Sequence, residues 1–461
     1  MRRTIAIIVV LAGAGCAWDA SAWGQVSADW PTERVEMLDG RQYVGLIESE
    51  DESWVNLVQI RRTPGRPMHL VIRPIGRRQV AAVVRLEGPR RAELRQRIDQ
   101  FINRATIESG RMDAVELASI QSVDGRYRHY RGKWFSLDST IDEPTTRRII
   151  VRVEQVFTAY RQMLPPRVQP ARPLRLLVFG SPEEYHAYLD RLGVKIDRRA
   201  CFLEKENLVV AGSEVARFAA ELAKVNDRHE QLRDELDHLK KQTKERIRAL
   251  ARQLQQQGNR KRELTRLLLI EKRRTREQLD EKQKEINRYD RENAQVFDKV
   301  TRRMFTRLYH EAFHAYLENY VYPHDRYDVP LWLNEGLAVL FESGLMESDS
   351  LRIDAPAPAA LRKLKADLST GKSLSLGELL RADRGDFSHS HDITSDRYYL
   401  HAWGLVYYLA FERHLFDSAA LDRYVEQSAA GLAPIERFER FVGMPLDQFE
   451  RQWRQYMAKL R

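Results

Sequence analysis

The chain of 461 residues carries a formal net charge of +10, and 43% of its residues are hydrophobic while 31% are charged. This length accommodates roughly two or three domains with at least one sizeable core, and the high charged fraction indicates an additional elongated, solvated element. The basic residues are mixed with acidic ones and form no aromatic-interleaved stretch, so nucleic acid is not an expected partner.

The N-terminal segment predicts a cleaved export signal over residues 1–22. Arg2 and Arg3 precede an apolar stretch that is too short to span a bilayer, and the small residues Ala20–Ala22 offer a cleavage site. Cys16 follows small residues and is an alternative site for a lipid anchor. We therefore expect a periplasmic, cell-envelope or extracellular chain that has no transmembrane span once the signal is removed.

Residues 30–88 predict a small all-β domain. Its strand-like runs, most of them separated by Gly or Pro, are Val35–Leu38, Arg41–Glu48, Trp54–Ile60, His69–Ile75 and Val80–Leu86. Five short strands suggest an SH3- or Sm-like barrel. Such a barrel either binds a protein partner or serves as a spacer.

Residues 89–212 predict a linker helix followed by the N-terminal α+β part of a catalytic region. The pattern places the linker helix at Arg90–Ile107, a strand at Leu174–Phe179, a helix at Pro182–Leu192 and another strand at Leu208–Ala211. The last strand could pair with an extended peptide as an added strand. The fold class expected for the whole chain is α+β.

Residues 213–300 predict an antiparallel helical hairpin of the coiled-coil type. Between residues 214 and 303 there is no proline and a single glycine, Gly258, and apolar residues recur at heptad spacing on both sides of it. Each arm of about 40 residues would be roughly 60 Å long. Such a hairpin is either a solvated spacer or a docking arm for a protein partner.

Residues 301–461 contain a candidate zinc site. On a helix, His310 and His314 lie about 40° apart around the axis and about 6 Å along it, so both imidazoles can bind one ion. Glu311 lies beside that point, where it can take a proton from a bound water. Glu335, flanked by apolar residues, completes the His₂Glu set of a catalytic zinc with an open fourth position.

The stretches His310–His314 and Trp332–Ala338 together resemble the gluzincin metallopeptidases, especially the branch of aminopeptidase N and leukotriene hydrolase. They also resemble a group of exported bacterial proteins of unknown function that are predicted gluzincins. The resemblance implies a gluzincin-like catalytic domain, one zinc ion per chain and a peptide or protein substrate. Aminopeptidases of this branch carry a stretch that binds the free amine of the substrate, and only Glu206-Asn207 matches part of it here. A typical aminopeptidase is therefore not expected.

The resemblance implies roles for two further residues. Glu342 matches a carboxylate that orients a zinc-binding histidine. Tyr399 matches the tyrosine that donates a hydrogen bond to the oxyanion, with Tyr398 as the alternative donor and a core tyrosine as the alternative interpretation.

The expected function is therefore that of an exported, zinc-dependent metallopeptidase. Two alternatives remain open, a non-catalytic envelope scaffold on a gluzincin fold and a zinc hydrolase of a non-peptide bond. The stretch His389–Asp392 is predicted to be a polar loop rather than a second metal site.

Overall fold

A computed structural model describes most of the chain from Trp30 onward. The described ranges are 30–62, 68–122, 125–170, 172–196, 198–256, 261–347, 350–370, 372–387, 396–416, 419–427 and 431–460. The predicted signal segment and Cys16 lie outside them.

The N-terminal part is a five-stranded antiparallel sheet. Its strands are β1 (Glu33–Met37), β2 (Gln42–Glu50), β3 (Trp54–Arg61), β4 (His69–Gly76) and β5 (Val80–Val84), in the spatial order β4-β3-β2-β1-β5. The turn between the first two strands contains Gly40 at a φ of 82°, a conformation that glycine adopts without steric cost. Each predicted strand is present, with ends displaced by a few residues.

Two helices follow the sheet, α1 (Gly88–Ile102) and α2 (Arg104–Asp113). Leu94, Ile98 and Phe101 of α1 are buried against one face of the sheet. The prediction of one continuous linker helix was wrong, because Asn103 has φ −97° and ψ 14° and interrupts the helical backbone between the two.

The middle of the chain forms a mixed six-stranded sheet of order β10-β11-β9-β8-β7-β6. The strands are β6 (Ala118–Ser122), β7 (Gly125–Arg131), β8 (Ser136–Ser139), β9 (Arg175–Phe179), β10 (Ala200–Leu203) and β11 (Leu208–Gly212). The helices α3 (Glu143–Met163) and α4 (Pro182–Arg191) connect strands of this sheet. β11 pairs with β10 on one side and β9 on the other, so the predicted pairing of this strand with a peptide was wrong. The edge strands of this sheet, in the described part of the chain, are β10 and β6.

Two long helices follow, α5 (Ala219–Gln256) and α6 (Lys261–Tyr316). They pack antiparallel, since Arg228 lies 3.8 Å from Glu285 and Arg246 lies 2.7 Å from Glu271 further along both arms. Three of the apolar residues at heptad spacing, Leu232, Leu236 and Ile286, are buried together. The second arm continues without interruption through His310 and His314.

A π-helical turn at Leu317–Val321 ends the long arm, and a largely helical region follows. Its elements are α7 (Leu331–Glu342), β12 (Leu345–Glu347), β13 (Ser350–Arg352), α8 (Pro358–Leu368), α9 (Leu376–Arg381), α10 (Arg397–Phe411), α11 (Ala419–Glu426), α12 (Pro434–Val442) and α13 (Leu446–Lys459). These helices share one hydrophobic core with α3, the middle sheet and the end of α6. Among the described residues, no helix combines the length and apolarity needed to cross a membrane.

Candidate metal centre

The end of α6 and the middle of α7 bring three potential metal ligands together. One ligand atom each from His310, His314 and Glu335 lies within 4.8 Å of the others. The Oε2 atom of Glu335 is 3.3 Å from Nε2 of His310 and 3.6 Å from Nε2 of His314. The two imidazole rings are 4.7 Å apart and nearly perpendicular. Two helices distant in sequence therefore present two nitrogens and one carboxylate oxygen to a common point.

Helix α7 reaches this position because it is apolar on almost all sides. Pro330 precedes its first turn, and Trp332 and Leu333 are each 1% exposed. Glu335 is the charged residue among the buried residues of α7. A carboxylate in such surroundings is costly unless a cation or a proton compensates its charge.

Each histidine is oriented through its other ring nitrogen. Nδ1 of His310 lies 2.8 Å from Oε2 of Glu342, and Nδ1 of His314 lies 2.8 Å from Oδ1 of Asn334. Both partners are acceptors, so Nδ1 is the protonated nitrogen and donates in each case. Nε2 of both rings is then directed toward Glu335. Metal-binding histidines are usually held in this way, with one ring nitrogen donating to a second residue and the other free to bind the metal.

This arrangement fits a divalent cation. Two nitrogen lone pairs and a carboxylate oxygen repel one another at these distances unless a proton or a cation lies among them. Burial lowers the pKa of His310, but its contacts with Glu335 and Glu342 outweigh burial and raise that pKa to about 10. Burial raises the pKa of Glu335, but the two histidines outweigh it and hold that pKa well below its usual value. The ligand types suit zinc, which accepts imidazole and carboxylate donors in a tetrahedral set.

Glu311 lies beside the three ligands and contacts the edge of the middle sheet. Its Oε2 atom accepts a hydrogen bond from the backbone N–H of Phe202 at 3.0 Å, and its side chain is largely buried. Phe202 belongs to the edge strand β10. The structure therefore brings the carboxylate that follows His310 in the chain into contact with the backbone of an edge strand.

The neighbouring Cys201 is buried. Burial raises its pKa to about 11, and the negative charge of Glu311 acts in the same direction. Burial therefore favours the protonated form of this thiol.

Of the two candidate tyrosines, Tyr399 is the one that lies next to the candidate metal ligands. It is 1% exposed, its ring is 6.5 Å from the ring of His310, and burial together with the charge of Glu335 raises its pKa. Tyr398 packs against Phe387, and burial together with the charges of Asp386 and Glu378 raises its pKa.

Sequence reasoning missed three contacts of this centre. Asn334 stands directly before Glu335, and a polar side chain inside an apolar helix was the signal for a role. Arg307, one turn before His310, places Nη1 3.6 Å from Oε2 of Glu342. The backbone N–H of Phe202 carries no sequence signal, because any residue type in an edge strand supplies it.

A second group of potential ligands lies at the surface near the end of β10. Nδ1 of His324 is 2.9 Å from Glu204 and 2.5 Å from Glu318. The histidine side chain is 68% exposed, so these contacts are ordinary surface ion pairs. The predicted polar loop at His389–Asp392 lies outside the described residues.

Comparison with known proteins gives one family match. A search of curated proteins finds no match to the chain. Residues 305–429, which include His310, His314, Glu335 and Tyr399, match a family described as "Protein of unknown function (DUF1570)".

Proposed function

We propose that this chain is a zinc-dependent peptidase that hydrolyses peptide bonds of proteins or peptides outside the cytoplasm. The observation that carries the proposal is the convergence of His310, His314 and Glu335 on one point, with Glu311 next to it. Two imidazoles and one carboxylate leave a fourth position of a tetrahedral ion open, which distinguishes a catalytic zinc from a structural one.

The residues around the ion divide the chemistry among them. Zinc bound here supplies a Lewis acid that polarises the scissile carbonyl and acidifies a water molecule. Glu311 accepts a proton from the attacking water at its carboxylate and passes it to the nitrogen of the leaving amine. The hydroxyl of Tyr399 donates a hydrogen bond to the oxyanion that develops on the carbonyl oxygen.

The edge strand suggests where the substrate lies. An extended peptide that adds to the outer edge of β10 would run beside Glu311, because the N–H of Phe202 at that edge already contacts this carboxylate. The hydrogen bond between Phe202 and Glu311 would then give way to one between the strand and the peptide backbone. This placement suits an internal stretch of a peptide chain better than recognition of a free amine.

The finer assignments of the chain are part of the same proposal. They are an export signal over residues 1–22, an SH3- or Sm-like N-terminal domain, a coiled-coil hairpin and a gluzincin-like catalytic part over residues 301–461. The shared core of the middle sheet, α6 and α7 supports the last assignment, since it holds the ligands on rigid elements.

The test compares Glu311→Gln with the matched control Glu318→Gln. Glu318 lies two helical turns beyond Glu311 and contacts His324 at the surface instead of the centre. We expect Glu311→Gln to keep its zinc and to lose at least about a thousandfold in cleavage of a denatured protein, because the proton acceptor is gone. The control should retain both properties. A zinc-loaded wild-type chain that cleaves no member of a peptide library would favour the scaffold alternative, and full activity of Glu311→Gln would contradict the proposed mechanism.

A further inference from the structure

The positive charge of the chain is concentrated in the distal half of the helical hairpin. Residues 240–276 contain 14 Lys or Arg and three Asp or Glu, a net charge of +11, against +10 for the whole chain. The proximal stretches 219–239 and 277–300 contain eight basic and 13 acidic residues, a net charge of −5. The distal charge is therefore not a general property of a solvated helical pair, in which the two signs would alternate along both arms.

Exposed aliphatic side chains lie within this basic segment. Leu267, Leu269 and Ile270 of α6 are 40%, 60% and 54% exposed. On a helix, the surface neighbours of Ile270 are three and four residues away, and they are Leu267 and the exposed arginines Arg266, Arg273 and Arg274. We call this set of five residues the distal patch. It combines two adjacent aliphatic side chains with three cations.

Packing between the two arms does not account for the distal patch. Thr275 is buried and lies 3.4 Å from Arg246 of the opposite arm, so it marks the side of α6 that faces α5. Ile270 precedes Thr275 by five residues and is therefore about 140° around the helix from it. Ile270, Arg266 and Arg273 therefore face away from the partner helix, and Leu267 and Arg274 lie at its flank. The partner helix α5 has 38 residues and is about 57 Å long.

The composition of the segment selects among anionic partners. Residues 240–276 contain no aromatic residue and no histidine. Single-stranded nucleic acid is bound by stacking on aromatic rings, and protein interfaces are usually anchored by Tyr or Trp. Aliphatic side chains surrounded by Lys and Arg are typical of segments that lie at the headgroup boundary of an anionic bilayer, where the aliphatic groups insert and the cations contact phosphates.

We propose that the distal patch and the basic side chains around it dock the hairpin onto the surface of an anionic phospholipid bilayer. Ile270 and Leu267 insert between headgroups, and Arg266, Arg273 and Arg274 contact lipid phosphates. The hairpin thus acts as a membrane-docking arm for the remainder of the chain. This inference is independent of the proposed peptidase activity.

The experiment measures how much of the protein, residues 23–461, sediments with lipid vesicles at physiological salt. The vesicles contain either phosphatidylcholine alone or phosphatidylcholine with about 30 mol% phosphatidylglycerol. The variant Arg266→Gln/Arg273→Gln/Arg274→Gln removes three distal charges. The matched control Lys284→Gln/Arg288→Gln/Arg291→Gln removes three exposed charges from the proximal part of the same arm. We expect binding only to the anionic vesicles, a loss of at least about tenfold in the distal variant and less than about twofold in the control.

A third variant, Leu267→Ser/Ile270→Ser, keeps the charge and tests insertion of the aliphatic groups. We expect it to weaken binding to anionic vesicles severalfold and to leave binding to heparin unchanged. Equal loss in the distal and proximal charge variants, binding to neutral vesicles, or absence of vesicle binding would overturn the proposal. Unchanged vesicle binding of the serine variant would also overturn it, because the segment would then be a general polyanion site. Circular dichroism showing the wild-type helix content in all variants excludes unfolding as the cause.

Discussion

Oε2 of Glu342 lies 2.8 Å from Nδ1 of His310, although 32 residues separate them in the chain. The same oxygen lies 3.6 Å from Nη1 of Arg307, one helical turn before the histidine. The carboxylate of Glu342 accepts the Nδ1 proton of His310, and this hydrogen bond orients the ring so that Nε2 is directed at Glu335.

Replacement of Glu342 should therefore weaken metal binding without removing a ligand. We expect Glu342→Ala to lower zinc affinity by about 10- to 100-fold and Glu342→Gln to lower it less, because the amide oxygen still accepts the Nδ1 proton. Competition with a fluorescent zinc chelator measures both. Glu426→Gln, an exposed glutamate on α11, is the control and should bind zinc like the wild type. Equal affinity of Glu342→Ala and the control would show that this contact does not orient His310.

Asn334 should orient the ring of His314 for metal binding, as Glu342 orients that of His310. We expect Asn334→Ala to lower zinc affinity by about tenfold or more, since Nδ1 loses its acceptor, and Asn334→Asp to retain most of it. Chelator competition again provides the measurement. A deficit in Asn334→Asp as large as that in Asn334→Ala would indicate that the site requires the neutral amide, and the orienting role as stated would be wrong.

Gly336 allows α7 to approach α10 closely. A Cβ atom at this position would lie 2.6 Å from Cγ2 of Val406 and 2.7 Å from the backbone oxygen of Ala402. We expect Gly336→Ala to lower the free energy of unfolding by about 1–3 kcal/mol through overpacking, and to weaken zinc binding because Glu335 is the adjacent residue. Urea denaturation of the metal-depleted protein gives the first quantity.

The control for that substitution is Gly110→Ala in α2, where an added Cβ meets no atom within 4 Å. It should raise stability by up to about 1 kcal/mol, because alanine is the better helix former. If both alanine variants have the same stability, close packing of α7 on α10 does not hold Glu335 in place.

Tyr399 should contribute to turnover rather than to metal binding. We expect Tyr399→Phe to lower kcat by about 100-fold at unchanged zinc content, because the oxyanion loses one hydrogen-bond donor. Tyr398→Phe should retain wild-type turnover, since the charges of Asp386 and Glu378 act on the Tyr398 hydroxyl, whereas that of Glu335 acts on Tyr399. Steady-state kinetics on one cleaved peptide compares the two. A larger loss in Tyr398→Phe than in Tyr399→Phe would contradict the assignment of the donor.

The sequence predicted the elements that carry the site because their signals are local. Helical spacing places His310 and His314 on one face, and Pro330 with the apolar run after it predicts α7. The sequence indicated that Glu335 binds the metal only through its charge within an apolar stretch, because no local pattern places it opposite the histidines. The heptad pattern likewise predicted which leucines lie between the hairpin arms, since this packing repeats along the helix.

The features that the sequence did not predict correctly are long-range strand pairing and contacts of backbone groups. The strand predicted at Leu208–Ala211 was expected to pair with a peptide. Its partners on both sides are instead β9 and β10, and the sequence of the strand itself does not indicate them. The break at Asn103 has no proline or glycine to mark it. The contact of Glu311 with β10 depends on a backbone N–H and on the packing of α6 against the sheet, and no pattern of residue types reports either one.

Elemental analysis of zinc in the purified wild-type chain and in His314→Ala and Glu335→Gln tests the central claim most directly. The account predicts about one zinc ion per wild-type chain and a loss of most of it in both variants, since each removes one of three protein ligands. Wild-type protein without stoichiometric zinc after purification in zinc-containing buffer, or variants that retain the full amount, would contradict it.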